Sequence, residues 1–180
     1  MQFNVAQLLR QATGATRHYE VDEPSEIADP NLSLIGPTRG QVSFLRTQRG
    51  ILVTAQLTQT VRVECVRCLA EMEVPLTIQI EEEFFPTIDL KTGLPITWTE
   101  EDEVEEASLI DEKHTLDLLE VTRQELLLAL PAHPLCRLDC AGLCPVCGAD
   151  RNVEACDCRA EQTDPRWGEL VRFGESAEAE

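Results

Sequence analysis

Thiols set the first constraint on what this chain can do. The stretch CRLDCAGLCPVCGADRNVEACDC, residues 136–158, holds six of the eight cysteines in 23 residues, and the other two lie upstream in ECVRCL. A thiolate is a soft ligand that suits Zn²⁺, and a tetrahedral site is met by thiols in short-spaced pairs whose connecting turn curls around the ion. Cys144 and Cys147 form such a pair in GLCPVCG, where Pro145 stiffens the turn and Gly148 supplies a φ > 0 position that lets backbone N–H groups face sulfur. Cys65 and Cys68 form a second CxxC, and Cys156 and Cys158 close the late run.

Eight thiols divide into two four-ligand sites, for one or two Zn²⁺ ions in all. The favoured division places Cys65, Cys68, Cys136 and Cys140 in one site and Cys144, Cys147, Cys156 and Cys158 in the other. The second set is local, whereas the first ties a distant turn to the late block. A rival division joins Cys136, Cys140, Cys144 and Cys147 and leaves Cys65 and Cys68 free, and His133 stands close enough in sequence to replace a thiol. Arg67, Arg137, Arg151 and Arg159 flank the cysteines as donors that would offset thiolate charge. The competing chemistry is thiol–disulfide exchange at Cys65 and Cys68. A redox CxxC, however, sits at a helix N-terminus after a strand, where the dipole lowers the thiol pKa, and this one joins two alternating segments.

The elements that must position the thiols follow from hydrophobic period. Val42 and Phe44 alternate; after the turn TQRG, Ile51, Val53, Ala55, Leu57, Val61, Val63 and Cys65 all take odd positions. Beyond Cys68, Met72, Val74, Leu76, Ile78 and Ile80 take even ones. Period two predicts half-buried strands, with CVRCLAE as the tip of an antiparallel hairpin. Asp117 to Leu130 predicts a helix: Asp117 and Glu120 resemble a capping box, Leu118, Leu119, Leu126, Leu127 and Leu130 share a broad face, and Pro131 and Pro134 end it. Laid on the sheet, it would deliver Cys136 and Cys140 to the hairpin tip. Weaker signals give a short helix over 4–11 capped by Asn4, a strand over 17–21, a connection over 23–40, a short helix in DPRWGELVRF and a disordered ESAEAE tail. The expected fold is α+β: an antiparallel sheet, barrel-like if its edges meet, packed by one main helix and followed by a C-terminal cysteine-rich zinc-binding module. Residues 1–135 form the core domain with the CxxC hairpin tip, 136–173 the module and short helix, and 174–180 the tail.

Composition narrows the function. With 43% hydrophobic and 4% aromatic residues, aliphatic side chains must make most of the core. The formal charge of −18 disfavours independent binding to a polyphosphate, whose affinity comes from Lys and Arg, and either points to a basic partner or serves only to keep the chain in solution. Two zinc ions held by eight thiolates would deepen it to about −22. Between Glu81 and Glu125, fifteen acidic residues face three basic ones, with TEEDEVEE (99–106) the densest part; the run reads as a solvated loop or as a docking site for that partner. No carboxylate pair stands out for acid–base chemistry, so no catalytic residue is assigned. The N-terminus lacks a basic region before an apolar run, and no window approaches the ~20 apolar residues of a membrane span. The expected setting is the reducing cytoplasm, where CxxC pairs hold metal or do redox work.

CVRCL, LDLLEVTRQELLLALP, PLCRLDCAGLCPVCGADRN and DPRWGEL together resemble the YceD family of large ribosomal RNA subunit accumulation proteins, over about residues 40–172. The resemblance implies a bacterial-type cytoplasmic or plastid protein, non-enzymatic, that supports accumulation of large-subunit (23S) rRNA and is often encoded beside a small zinc-type ribosomal protein. The implied partners are basic ribosomal proteins or a pre-large-subunit ribonucleoprotein, with direct rRNA contact left open. Family members differ in how complete the later cysteine cluster is, which implies that it serves stability or tuning. An acidic zinc-ribbon adaptor fits the composition equally well, and the resemblance ranks it lower.

Overall fold

The computed structural model describes residues 1–90, 92–98 and 104–158, which fall into two compact units. One unit comprises residues 1–64 and 71–134; the other joins residues 65–70 to the segment that begins at Leu135. Compactness thus cuts the chain differently from the linear division at residue 135, because the six-residue hairpin tip groups with the late cysteines. The DPRWGELVRF helix and the ESAEAE tail lie outside the described residues.

The first unit is built on alternation. Strands β2 (Thr16–Pro24), β3 (Ser33–Arg46), β4 (Ile51–Glu64) and β5 (Glu71–Pro86) form a continuous antiparallel ladder, and β6 (Leu109–Ile110) adds to β5 in parallel. A separate two-stranded sheet pairs β1 (Gln2–Asn4) with β7 (Thr115–Asp117). Odd residues of β4 and even residues of β5 bury as their period requires: Ile51, Val53, Leu57 and Val61 meet Leu76, Ile78, Ile80 and Phe84 in one aliphatic core. Phe3, Tyr19 and Phe44 add an aromatic corner with ring centroids 5.1–5.3 Å apart. Among the described residues the main ladder ends at β2 and β6, so a closed barrel is not shown. No helix there is long and apolar enough to cross a membrane.

Four features differ from the sequence reading. The supposed connection over 23–40 is largely strand: Gly36 and Pro37 mark a bulge between Ile35 and Arg39, and β3 resumes pairing beyond it. Buried Gln59 seals that bulge, accepting from Thr38 Oγ1 at 2.7 Å and donating to the Ile35 carbonyl at 3.0 Å. The main helix, α2 (Leu119–Ala129), buries Val121, Thr122 and Leu126 and packs on β5. Its capping box does not form. Asp117, in β7, accepts from the Leu119 N–H at 2.9 Å, while Glu120 turns to the Arg123 guanidinium at 2.6 Å. Arg123 also meets Asp29 at 2.8 Å, and these contacts hold both carboxyls below their ordinary range; for Asp29 the Asn31 backbone N–H contributes most. The N-terminal helix shrinks to α1 (Ala6–Leu9), with Asn4 in β1 accepting from the Ala6 N–H at 3.2 Å. The acidic region is not a single loop either. It contributes the end of β5, a 3₁₀ turn over Glu106–Ser108, β6, β7 and the start of α2, and residues 99–103 of TEEDEVEE lie outside the described residues.

Candidate metal centre

The connection between β4 and β5 is tight because antiparallel pairing runs to its base. Glu64 pairs with Glu71, the Cys65 N–H donates to the Ala70 carbonyl at 2.9 Å, and the Leu69 N–H returns to the Cys65 carbonyl at 2.9 Å. The turn closes with Leu69 at φ 60°, a left-handed conformation that L side chains seldom adopt. The late block repeats this construction. Leu143 bridges Asp150, the Cys144 N–H donates to the Ala149 carbonyl at 2.8 Å, the Gly148 N–H returns to the Cys144 carbonyl at 2.9 Å, and Gly148 sits at φ 77°. Each CxxC is therefore a knuckle that wraps its backbone donors around sulfur. A sequence signal for the repeat exists, since CVRCLAE and CPVCGAD share the form C-x-x-C-x-Ala-acid.

A second pair of thiols faces each knuckle. Cys65, Cys68, Cys136 and Cys140 have all their Sγ atoms within 4.8 Å of one another, and so do Cys144, Cys147, Cys156 and Cys158. This is the division favoured by spacing. The rival set does not assemble, and exposed His133 belongs to neither group. In the first group Cys65 lies 3.8 Å from Cys140 and Cys68 lies 3.6 Å from Cys136, sulfur to sulfur. A tetrahedron with metal–sulfur bonds of about 2.3 Å has sulfur–sulfur edges of about 3.8 Å, whereas a disulfide needs about 2.05 Å. All eight cysteines are free thiols, and each group could hold a metal ion.

Electrostatics also fit a cation. Backbone N–H groups of Cys136 and Cys68 lower the Cys65 thiol to about 6, and those of Cys147 and Val146 lower Cys144 to about 6. Their neighbours move the other way: partial desolvation of its sulfur, with the adjacent Cys140 thiol, pushes Cys136 up to about 12, and hydrogen bonding with Cys147 pushes Cys158 up to about 12. Four thiols packed this closely cannot all ionise on their own, and a bound divalent cation is what reconciles four thiolates in one place. Burial raises the Cys140 thiol, but the Asn152 side chain and the Gly142 N–H outweigh it and leave the net shift downward.

Asn152 is a residue that sequence reasoning missed. Its Nδ2 donates to Cys140 Sγ at 3.4 Å, and its Oδ1 accepts from the Ala141 N–H at 2.7 Å and from Arg137 Nη2 at 2.6 Å. Among the described residues no arginine side chain donates to a cysteine sulfur: Arg137 acts through Asn152 and pairs with Asp139 at 3.5 Å, and Arg159 lies outside the described residues. Gly142 was missed as well. The Leu143 N–H bonds the Arg67 carbonyl at 2.9 Å, joining the flank of one knuckle to the tip of the other, and a Cβ on Gly142 would stand 2.9 Å from that carbonyl oxygen.

A family model described as "Large ribosomal RNA subunit accumulation protein YceD" matches residues 53–173, a span that contains both knuckles. Mycobacterium bovis and Mycobacterium tuberculosis each have a protein, described as uncharacterized, that is 36% identical over 161 residues, 87% of this chain and 72% of the relative. A Mycobacterium leprae protein with the same description is 32% identical over 122 residues, covering 67% of this chain and 52% of its own length. No solved structure matches the chain.

Proposed function

We propose, because this chain belongs to the YceD family of large ribosomal RNA subunit accumulation proteins, that it is a non-catalytic, zinc-binding factor in large ribosomal subunit biogenesis. The observation that carries the reading is the family match, which runs through the whole of both tetrathiol groups. Zinc is the metal of choice for four thiolates in a closed tetrahedral set, since it needs no open position and does no redox chemistry. Filled with four protein ligands, such a site holds structure together and leaves no place for a substrate. A thiol oxidoreductase finds little support, because Cys65 and Cys68 sit on a hairpin tip with two further thiols beside them and not at a helix N-terminus.

Within the ribosomal role, the net charge of −18 makes basic ribosomal proteins, alone or in a precursor particle, better partners than bare RNA. The free thiols suit the reducing cytoplasm. Depletion of the protein should lower 23S rRNA and the large-subunit peak in sucrose gradients, with small-subunit rRNA affected less. Unchanged rRNA and unchanged gradients would defeat the reading. Elemental analysis of freshly purified, reduced protein should find close to two zinc per chain, and substantially less than one would defeat the metal assignment.

A further inference from the structure

The outer face of the main sheet forms a groove of about 640 Å³ across β2, β3, β4 and β5. Register defines its floor. Glu20, Gln41, Gln56 and Gln79 lie side by side in one cross-strand row, and His18, Ser43, Thr54 and Glu81 lie in the next. All are exposed except half-buried Ser43. Three glutamine amides in a row offer both donors and acceptors, as the carbonyls and N–H groups of an extended chain require. A carboxylate closes each row at opposite corners, Glu20 at the β2 end and Glu81 at the β5 end.

Those two carboxylates are uncompensated. No lysine or arginine lines the groove, and neither Glu20 nor Glu81 has an ion-pair partner among the described residues. The neighbouring arginines of this face are already engaged, Arg39 with Asp22 at 3.2 Å and Arg62 with Glu71 at 3.8 Å. An anionic strand would meet repulsion here. At about 4.8 Å per strand and 3.4 Å per residue, the two corners stand roughly 15 Å apart. An extended peptide covers that distance in about four to five residues.

We propose that this groove is a docking surface for an extended basic peptide segment carrying two arginines or lysines four residues apart, at i and i+4 and so on one face of the segment, one for Glu20 and one for Glu81. Rows of glutamine and hydroxyl groups bind its backbone, and the corner carboxylates read its charge spacing. The inference rests on the ribosomal reading above only for the source of the segment, a basic ribosomal protein.

Fluorescence anisotropy with the full-length, zinc-replete chain tests it. The probes are a labelled β-prone peptide with arginines at positions i and i+4, the same composition with the arginines adjacent, and a single-stranded RNA oligonucleotide. The spaced peptide should bind at least several-fold tighter than the adjacent one, and E20Q/E81Q should weaken it at least tenfold, with each single change giving about threefold. Gln56→Lys, on the floor, should weaken it similarly, whereas Glu106→Gln should leave it unchanged. The proposal is overturned if E20Q/E81Q and Gln56→Lys bind as the parent does, or if RNA displaces the peptide and itself depends on these residues. The two readings fail separately. Peptide binding lost in E20Q/E81Q with rRNA unaffected by depletion upholds the groove and sinks the ribosomal role; rRNA loss on depletion with peptide binding indifferent to E20Q/E81Q does the reverse.

Discussion

The knuckle at Cys65 and the knuckle at Cys144 share one backbone, bridge for bridge and hydrogen bond for hydrogen bond, yet their surroundings differ. Around the first, Cys65, Cys68 and Cys140 are buried with Leu135 and Leu143 against them, and the thiols it gathers stand up to 75 residues apart. Around the second, only Cys144 is buried; Cys147 and Cys158 are exposed, and all four thiols fall within 15 residues. A cross-link over a long loop removes more freedom from the unfolded chain than one over a short loop, and burial shields it from water and chelators. Filled with metal, the same four-thiol set would therefore fasten the chain at one place and decorate its surface at another.

If this contrast is right, Cys65→Ser should do the most damage. It should remove one equivalent of zinc and also lower the melting temperature sharply, whereas Cys144→Ser should remove one equivalent with a much smaller thermal effect. Equal thermal losses in the two variants would break the comparison. Metal removal sharpens it: a chromogenic chelator should release zinc in two phases of one equivalent each, and the fast phase should be missing from Cys144→Ser. A single phase would mean that the two sites are equally protected.

Backbone strain gives smaller effects. Gly142→Ala combines a φ of 72° with a Cβ placed 2.9 Å from the Arg67 carbonyl, and should cost about 2–4 kcal/mol in denaturant unfolding. Gly148→Ala has a φ of 77° but open space around it, so only the conformational cost of about 1–2 kcal/mol is expected. Leu69 already carries that cost at φ 60° and is exposed, so Leu69→Gly should be neutral or stabilise by up to about 1 kcal/mol. A clear loss from Leu69→Gly would show that the leucine side chain contributes something the bare turn does not.

Much of this arrangement is legible in the sequence because it rests on local rules. Alternation over residues 51–80 sets the two strands of the β4–β5 hairpin and their buried faces, since one side chain in two must point inward. CxxC spacing sets both knuckles. The reading fails where a distant group overrides a local signal. Gly36 and Pro37 read as a connection, yet Gln59 from the next strand satisfies the bulge they create and keeps β3 going. Asp117 and Glu120 read as a capping box, yet Arg123, shared with Asp29 from another loop, captures Glu120.

Sequence by itself determined the chemistry on offer: eight thiols in spaced pairs, an acidic surface and two strands joined by a knuckle. It left open which thiols meet. Only the tertiary structure decided that Cys65 and Cys68 gather Cys136 and Cys140, that Asn152 supports Cys140, and that Gln41, Gln56 and Gln79 line up into a groove floor. The physical reason is range. Side-chain period and turn chemistry act over a few residues and are written into the chain, whereas ligand sets and surface grooves depend on register and on closing loops tens of residues long, which the packed fold alone fixes.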